Sequence, residues 1–266
     1  MKEFLKFLIN LTKSILIKNR RYCRISPSHK GKIWFYDKDG RGFFGVNARE
    51  RIDSITADQV FTNNDYDLRF LKRYDELIRQ YNSICAQNKK PLIIDCGANI
   101  GFSAIHFATT FPQSMVISIE PEKNNFSLMK KNCAGLNNVE LLNKAVGNFD
   151  GYVSINDSDA DNNAFRTSRN ENGEGDIEVI SINSILQVIA SSEAVPFIVK
   201  IDIEGFEDDL FSNNTEWVEK FPLLIIETHD WMLPKQANSH NFLKVISKQR
   251  RDFIHRGENI YSISNN

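Results

Sequence analysis

Two apolar runs in this chain end in groups that can hold or move a proton. "FIVKIDIEG", residues 197–205, carries Lys200, Asp202 and Glu204 at alternate positions, and "LLIIETHDW", residues 223–231, carries Glu227 and His229 two apart. Alternate residues of an extended chain share a face. The first run therefore presents an ammonium and two carboxylates, and the second a carboxylate and an imidazole. Such groups at neighbouring strand ends suit proton transfer, or the binding of a hard cation such as Mg²⁺ by the oxygens of Asp202, Glu204 and Glu227.

A third run, "PLIIDCGANIGFSAIHFA", residues 91–108, reads as a strand, a tight turn and a helix. The turn spans Asp95, Cys96, Gly97, Ala98, Asn99, Ile100 and Gly101. Glycine lets the backbone approach a ligand closely, and the start of a helix offers free N–H groups to an anion. A phosphate-binding P-loop ends in Gly-Lys-Ser or Gly-Lys-Thr, whereas Gly101 is followed by Phe102 and Ser103. A dinucleotide fingerprint needs G-x-G-x-x-G, and here Asn99 interrupts that spacing. Glu120 lies 19 residues after Gly101, at the end of the next apolar run. A carboxylate there accepts hydrogen bonds from ribose hydroxyls, which points to a nucleoside without saying which one.

These groups need a parallel sheet to bring them together. The chain alternates short apolar strands at 92–96, 115–120, 139–146, 197–202 and 223–228 with helices at 101–111, 122–134, from about 206, and at about 238–248. This alternation predicts an α/β fold with both sheet faces covered. Residues 250–264 read as a hairpin turning at Gly257-Glu258-Asn259, residues 32–47 as an aromatic-rich hairpin about Asp39-Gly40, and residues 67–87 as one helix capped by Asp67 or Asp65. Residues 156–176 are polar and rich in Asn, Asp and Gly, an expected exposed loop, read here as a lid or substrate loop.

The 266 residues are 41% hydrophobic and 25% charged, with a formal net charge of −1, so no basic excess argues for nucleic acid. Cys23, Cys85, Cys96 and Cys133 form no close pair, which argues against a zinc site or disulfide framework and for a reducing cytoplasm. Residues 1–30 hold eight Lys or Arg against Glu3, and Phe4, Leu8, Leu11 and Ile15 share one helical face. The apolar runs are too short for a membrane span or signal peptide. A basic amphipathic helix lies in a membrane interface or packs on the main domain, and residues 1–24 leave both readings open. The expected division is an N-terminal extension over 1–59 and a main domain over 60–266.

Six blocks in order, "IIDCGANIGFSAIHFA", "SIEPEKNNFSLMKKN", "NKAVGNFDG", "VKIDIEGFEDDLF", "IIETHDW" and "RDFIHRGENIYSI", resemble the FkbM family of S-adenosylmethionine-dependent methyltransferases. The resemblance implies a class I methyltransferase fold, a Rossmann-like seven-stranded sheet with an antiparallel C-terminal hairpin. It also implies O-methylation of a sugar, glycan or related metabolite. Gly97, Ala98 and Gly101 would line the methionine end of the cofactor, with Asn99 contacting its carboxylate or holding the turn in shape. Asp95 would order the turn or meet the amino group, Glu120 would take the ribose, and Ala145 would lie at the adenine.

An alcohol acceptor needs help to lose its proton. His229 is the expected proton acceptor, as a neutral imidazole near its ordinary pKa, with a structural histidine as the other reading. Asp202, Glu227 and Glu204 are expected beside it, and Trp231 is placed to stack on a sugar face. "SINSI", residues 181–185, departs from the family pattern, with Asn183 in place of an acid. The rival functions are an NAD(P)-dependent oxidoreductase on a related sheet and a non-catalytic cofactor-binding or membrane-docking module.

Overall fold

The computed structural model describes Leu8, Leu11, Thr12 and residues 20–27, 30–155, 167–169, 177–190 and 193–266. The chain begins with strands β1 (Tyr22–Arg24), β2 (Gly31–Asp37) and β3 (Gly42–Ala48), then helices α1 (Arg51–Ala57) and α2 (Tyr74–Ala86). It continues through β4 (Lys90–Cys96), α3 (Phe102–Thr110), β5 (Met115–Ile119), α4 (Lys123–Asn132) and β6 (Val139–Leu142). Next come β7 (Ala145–Gly147), β8 (Gly151–Ile155), β9 (Thr167–Arg169), β10 (Ile177–Ser181) and α5 (Ile182–Ile189). The last part holds β11 (Ala194–Ile201), α6 (Glu207–Leu210), β12 (Leu223–Glu227), α7 (His240–Ile246), β13 (Arg251–Arg256) and β14 (Asn259–Ser264).

The main sheet has seven strands in the order β13-β14-β12-β11-β4-β5-β6. β4, β5, β6, β11 and β12 run parallel, and β14 and β13 form the antiparallel edge. The order reverses between β4 and β11, and ligands of open parallel sheets bind at such a switch point, beyond the strand carboxyl ends. Alternation along the central strands builds two cores. Ile93, Ile198 and Ile225 face α3 and the N-terminal sheet, joined by Phe197 where the β11–β4 register shifts between Pro196 and Ile198, whereas Leu92, Ile94, Val199, Ile201 and Ile226 face α5, Trp217 and Phe242. The register sets Lys200 opposite Asp95, on the face those alternations give to α3.

The N-terminal strands form an antiparallel sheet, β1-β2-β3. β1 was absent from the expected elements, because its three residues lie in a basic stretch with no turn signal. Two of those basic side chains are buried: Arg21 pairs with Asp37 at 2.7 Å, and Arg24 pairs with Asp58 at 2.5 Å. Phe61 then joins this sheet to the main core, its ring 5.1 Å from Tyr22, 4.9 Å from Phe35 and 5.7 Å from Phe102. Of the amphipathic helix expected over residues 1–24, Tyr22–Arg24 are instead strand β1, and the rest, apart from Leu8, Leu11, Thr12, Arg20 and Arg21, lies outside the described residues, as does the 156–176 loop apart from β9. Among the described residues, no helix is long and apolar enough to cross a membrane.

Two expected elements divide. Residues 139–146 form not one strand but β6 and the start of β7, which leaves for a second sheet, β7-β10-β8-β9. Asn143 turns the chain between them, donating from Nδ2 to the carbonyls of Glu120 at 2.9 Å and Pro121 at 3.0 Å. The helix expected over 67–87 starts at Tyr74. Ahead of it, Asp67 accepts the Arg69 N–H and caps a separate 3₁₀ turn, Leu68–Phe70, after which Leu71 is extended. Phe61→Ala removes a wholly buried ring from the joint between the two layers, and it is expected to destabilise the chain by about 3–5 kcal/mol, measured by urea denaturation.

Candidate active site

The switch point brings Gly97 against the chain leaving β11. Gly97 has φ +75°, and a Cβ there would stand 1.7 Å from the Asp202 carbonyl oxygen, a distance no side chain survives. Asn99 also has positive φ, +49°, a conformation asparagine tolerates better than most residues. Its N–H donates to Glu120 Oε2 at 2.8 Å. Asn99 thus shapes the turn and joins it to the end of β5.

Lys200 locks this arrangement from below. The side chain is 2% exposed, and Nζ donates to Gly97 O at 2.7 Å. It lies 3.3 Å from both Asp95 Oδ1 and Asp202 Oδ2. Burial alone would lower the ammonium pKa, but nearby Tyr66, Asp202 and Asp95 hold it well above the usual lysine value. Asp95 is wholly buried, takes the Ser103 hydroxyl at 2.7 Å, and orders the turn. Of its two expected roles this geometry is that of ordering the turn, and Asp95 is not among the residues on the cleft wall.

That cleft opens on the far side of the turn and encloses about 880 Å³, part of it open to solvent. Gly97, Asn99, Glu120, Ala145, Asp202 and Glu204 lie on its wall. Ala98 and Gly101, expected there, are elsewhere. Ala98 is buried in the core, and Gly101, at φ +91°, packs so closely on α4 that a Cβ would meet Cys133 Sγ and Met129 Cγ at 2.9 Å. Glu120 is buried at the cleft wall and accepts the Glu122 N–H at 3.0 Å. Burial dominates these bonds and pushes its pKa up to about 7.

At the other end of Asp202 stands a second cluster. One ligand-type atom each from Asp202, Glu227 and His229 lies within 4.8 Å of the others. The His229 ring is buried, its Nδ1 2.9 Å from Glu207 Oε1 and its Nε2 3.6 Å from Asp202 Oδ1 and 3.5 Å from Glu227 Oε1. Glu207 is wholly buried and accepts the Gly205 N–H at 3.1 Å and the Asn238 amide. Burial alone would lower the imidazole pKa, but the Glu207 bond and the charges of Asp202 and Glu227 raise it above the usual histidine value. The ordinary pKa expected for His229 therefore does not hold, since its acidic neighbours favour the protonated ring. Burial, with Asp202 beside it, raises the Glu227 carboxyl pKa.

Glu204 departs from its expected place. β11 ends at Ile201, and Glu204 adopts φ +50°, so the alternation that would align it with Asp202 no longer holds. It is exposed at the cleft wall and outside the Asp202–Glu227–His229 group. Glu207 was missed by the sequence reading, since it opens a four-residue helix with no periodic pattern. An acid two residues past Gly205 was the available signal. Tyr66 is buried with Lys200 Nζ 5.9 Å from its ring centroid. Trp231 is 66% exposed, its ring 6.5 Å from that of His229.

Gly97→Ala should destabilise the chain by at least about 2 kcal/mol, since backbone must shift or strain. Gly135→Ala, with nothing near its Cβ, should leave the melting temperature within about a degree or two of the parent. Differential scanning calorimetry of both variants checks this.

The domain described as "Methyltransferase FkbM domain" matches residues 95–254, more than half of the chain. No curated protein matches. Among solved structures, the methyltransferase FkbM from Methylobacillus flagellatus KT is similar at 18% identity and a TM-score of 0.43, over 65% of this chain and 43% of that one. This chain thus aligns with less than half of that protein's length. A putative caffeoyl-CoA O-methyltransferase from Staphylococcus aureus is similar at 15% identity and a TM-score of 0.40, over 79% of this chain and 100% of that one. A putative O-methyltransferase from Klebsiella pneumoniae is similar at 14% identity and a TM-score of 0.39, over 78% and 89%. The domain match, across the strands, the turn and both carboxylate clusters, decides the family: the chain belongs to the FkbM methyltransferases.

Proposed function

We propose that this protein is an S-adenosylmethionine-dependent O-methyltransferase acting on a hydroxyl of a sugar, glycan or related metabolite. The observation that carries the reading is the double position of Asp202. It lines the cleft with Gly97 and Glu120, and it belongs to the cluster with Glu227 and His229. A donor in the cleft and an acceptor at the cluster would meet across one side chain. The family assignment leaves the NAD(P)-dependent reading without support. The cluster, with its buried orienting partner Glu207, counts against a non-catalytic module.

Glu120 is placed to take the ribose hydroxyls, with Gly97 and Asn99 along the methionine end and Ala145 at the base. Bound S-adenosylmethionine would supply the methyl group to the acceptor oxygen, with the electron pair of the broken carbon–sulfur bond left on sulfur. Holding the three atoms in line supplies much of the acceleration. The hydroxyl proton passes to the Asp202–Glu227 carboxylate pair, which lies beside Nε2 of His229. Trp231, exposed beside the cluster, offers the flat apolar surface that pairs with a sugar face. Cytoplasmic action suits the four cysteines, all of them free thiols.

Isotope-labelled methyl transfer from S-adenosylmethionine to a panel of sugars and glycans, read by mass spectrometry, tests the reading. Methylation of carbon or nitrogen acceptors only would reject the O-directed part. Asp202→Asn should lower kcat by about 10²–10⁴, while affinity for S-adenosylhomocysteine changes far less. The pH dependence has a definite sign. Glu120 holds a proton below about 7, and ribose hydroxyls donate best to its ionised form. Cofactor affinity should therefore be flat above pH 7 and fall up to about tenfold per pH unit below it. Glu120→Gln should remove that dependence in a calorimetric titration.

A further inference from the structure

We propose that Asp202, Glu227 and His229 form a divalent-cation site, with Glu207 fixing the imidazole from behind. The part this ion plays in catalysis rests on the methyltransferase reading above; its binding does not.

The spacing is that of ligands waiting on one ion. His229 Nε2 lies 3.6 Å from Asp202 Oδ1 and 3.5 Å from Glu227 Oε1, and the three groups offer atoms within 4.8 Å of one another. An ion with bonds of about 2.1 Å holds adjacent ligand atoms roughly 3–3.5 Å apart. The two distances from Nε2 are already within tenths of an ångström of that spacing.

A second observation comes from the histidine. Its side chain is 3% exposed, and among the described residues the groups nearest its Nε2 are the two carboxylates, at 3.6 Å and 3.5 Å. The other nitrogen is committed to Glu207, itself wholly buried and held by the Gly205 N–H and the Asn238 amide. Metal-bound imidazoles are oriented this way, by a carboxylate on the nitrogen away from the ion. Glu207 also holds the turn after β11 through the Ile203 and Gly205 N–H groups, so the imidazole is tied to a fixed backbone; it neither lines the cleft nor joins the ligand set.

Charge points the same way. Asp202, Glu204, Glu207 and Glu227 surround the position, and the ammonium of Lys200 is shared between Asp202 and Asp95. One imidazole with two carboxylates and no thiolate favours a metal of the Mn²⁺ and Mg²⁺ class, which takes six ligands. Three protein ligands leave positions for acceptor oxygens, and Asp202 sets that centre beside the cleft. Glu204, the ligand suggested by alternation alone, is outside the set.

Titrating the full chain with Mn²⁺, followed by the electron paramagnetic resonance of the free ion, tests the proposal. Calorimetry with S-adenosylhomocysteine runs in parallel on every variant. One Mn²⁺ per chain is expected, displaced by excess Mg²⁺. Glu227→Gln and Asp202→Asn should each weaken it at least about tenfold, and Glu207→Gln by about 10–100-fold. Glu204→Gln should leave it within about twofold of the parent, which separates a site from diffuse acidic attraction. Absence of stoichiometric Mn²⁺ in a chain that binds S-adenosylhomocysteine overturns the proposal, as does binding indifferent to Glu227→Gln and Asp202→Asn. Mn²⁺ binding without S-adenosylhomocysteine binding would instead uphold the cation site and reject the methyltransferase reading.

Discussion

The buried ammonium of Lys200 is the constraint on which the site depends. A lysine at 2% exposure loses its hydration and must find acceptors within the fold. It finds the Gly97 carbonyl, Asp95 and Asp202, one from the turn after β4, one from β4 itself and one from the end of β11. Replacing such a group with an apolar side chain can leave stability little changed, so its value here lies in geometry. The turn carbonyl faces down to Lys200, which leaves the Asn99 N–H to meet Glu120. Gly97 then lies so close to the Asp202 carbonyl that no side chain fits.

From that joint the charges separate into two environments. Glu120 sits among backbone N–H groups at the cleft wall, where burial keeps its proton until about neutral pH. Asp202 and Glu227 face the Nε2 edge of His229, and Glu207 holds the opposite edge. The same kind of side chain thus stands in two environments, one lined by backbone N–H groups and one by an imidazole. Local partners decide which, and Asp202, in contact with Lys200 and with the cluster, connects the two.

Most of the architecture was legible because a parallel sheet buried on both faces writes itself as short apolar runs. The runs ending at Asp95, Glu120, Asp202 and Glu227 all proved to be strands of one sheet, and the final hairpin lies at its edge. The failures have local causes. Asn143 spends its amide on two carbonyls and ends β6 early. Asp67 caps a short turn and not the long helix. In the site, alternation placed Glu204 beside Asp202, but the strand stops at Ile201 and the backbone turns left-handed. The grouping of His229 with Asp202 and Glu227 was legible from the strand ends, while the raised pKa of its ring was not. That depends on Glu207, which reaches it from a short helix 22 residues earlier in the chain.

The most direct measurement is a crystal structure of the full chain with S-adenosylhomocysteine. The account predicts ribose hydroxyls on the Glu120 carboxylate, the amino-acid end along Gly97 and Asn99, and the sulfur facing Asp202. A ribose seated away from Glu120, or a sulfur turned from Asp202 toward the Lys144 side of the cleft, would contradict it.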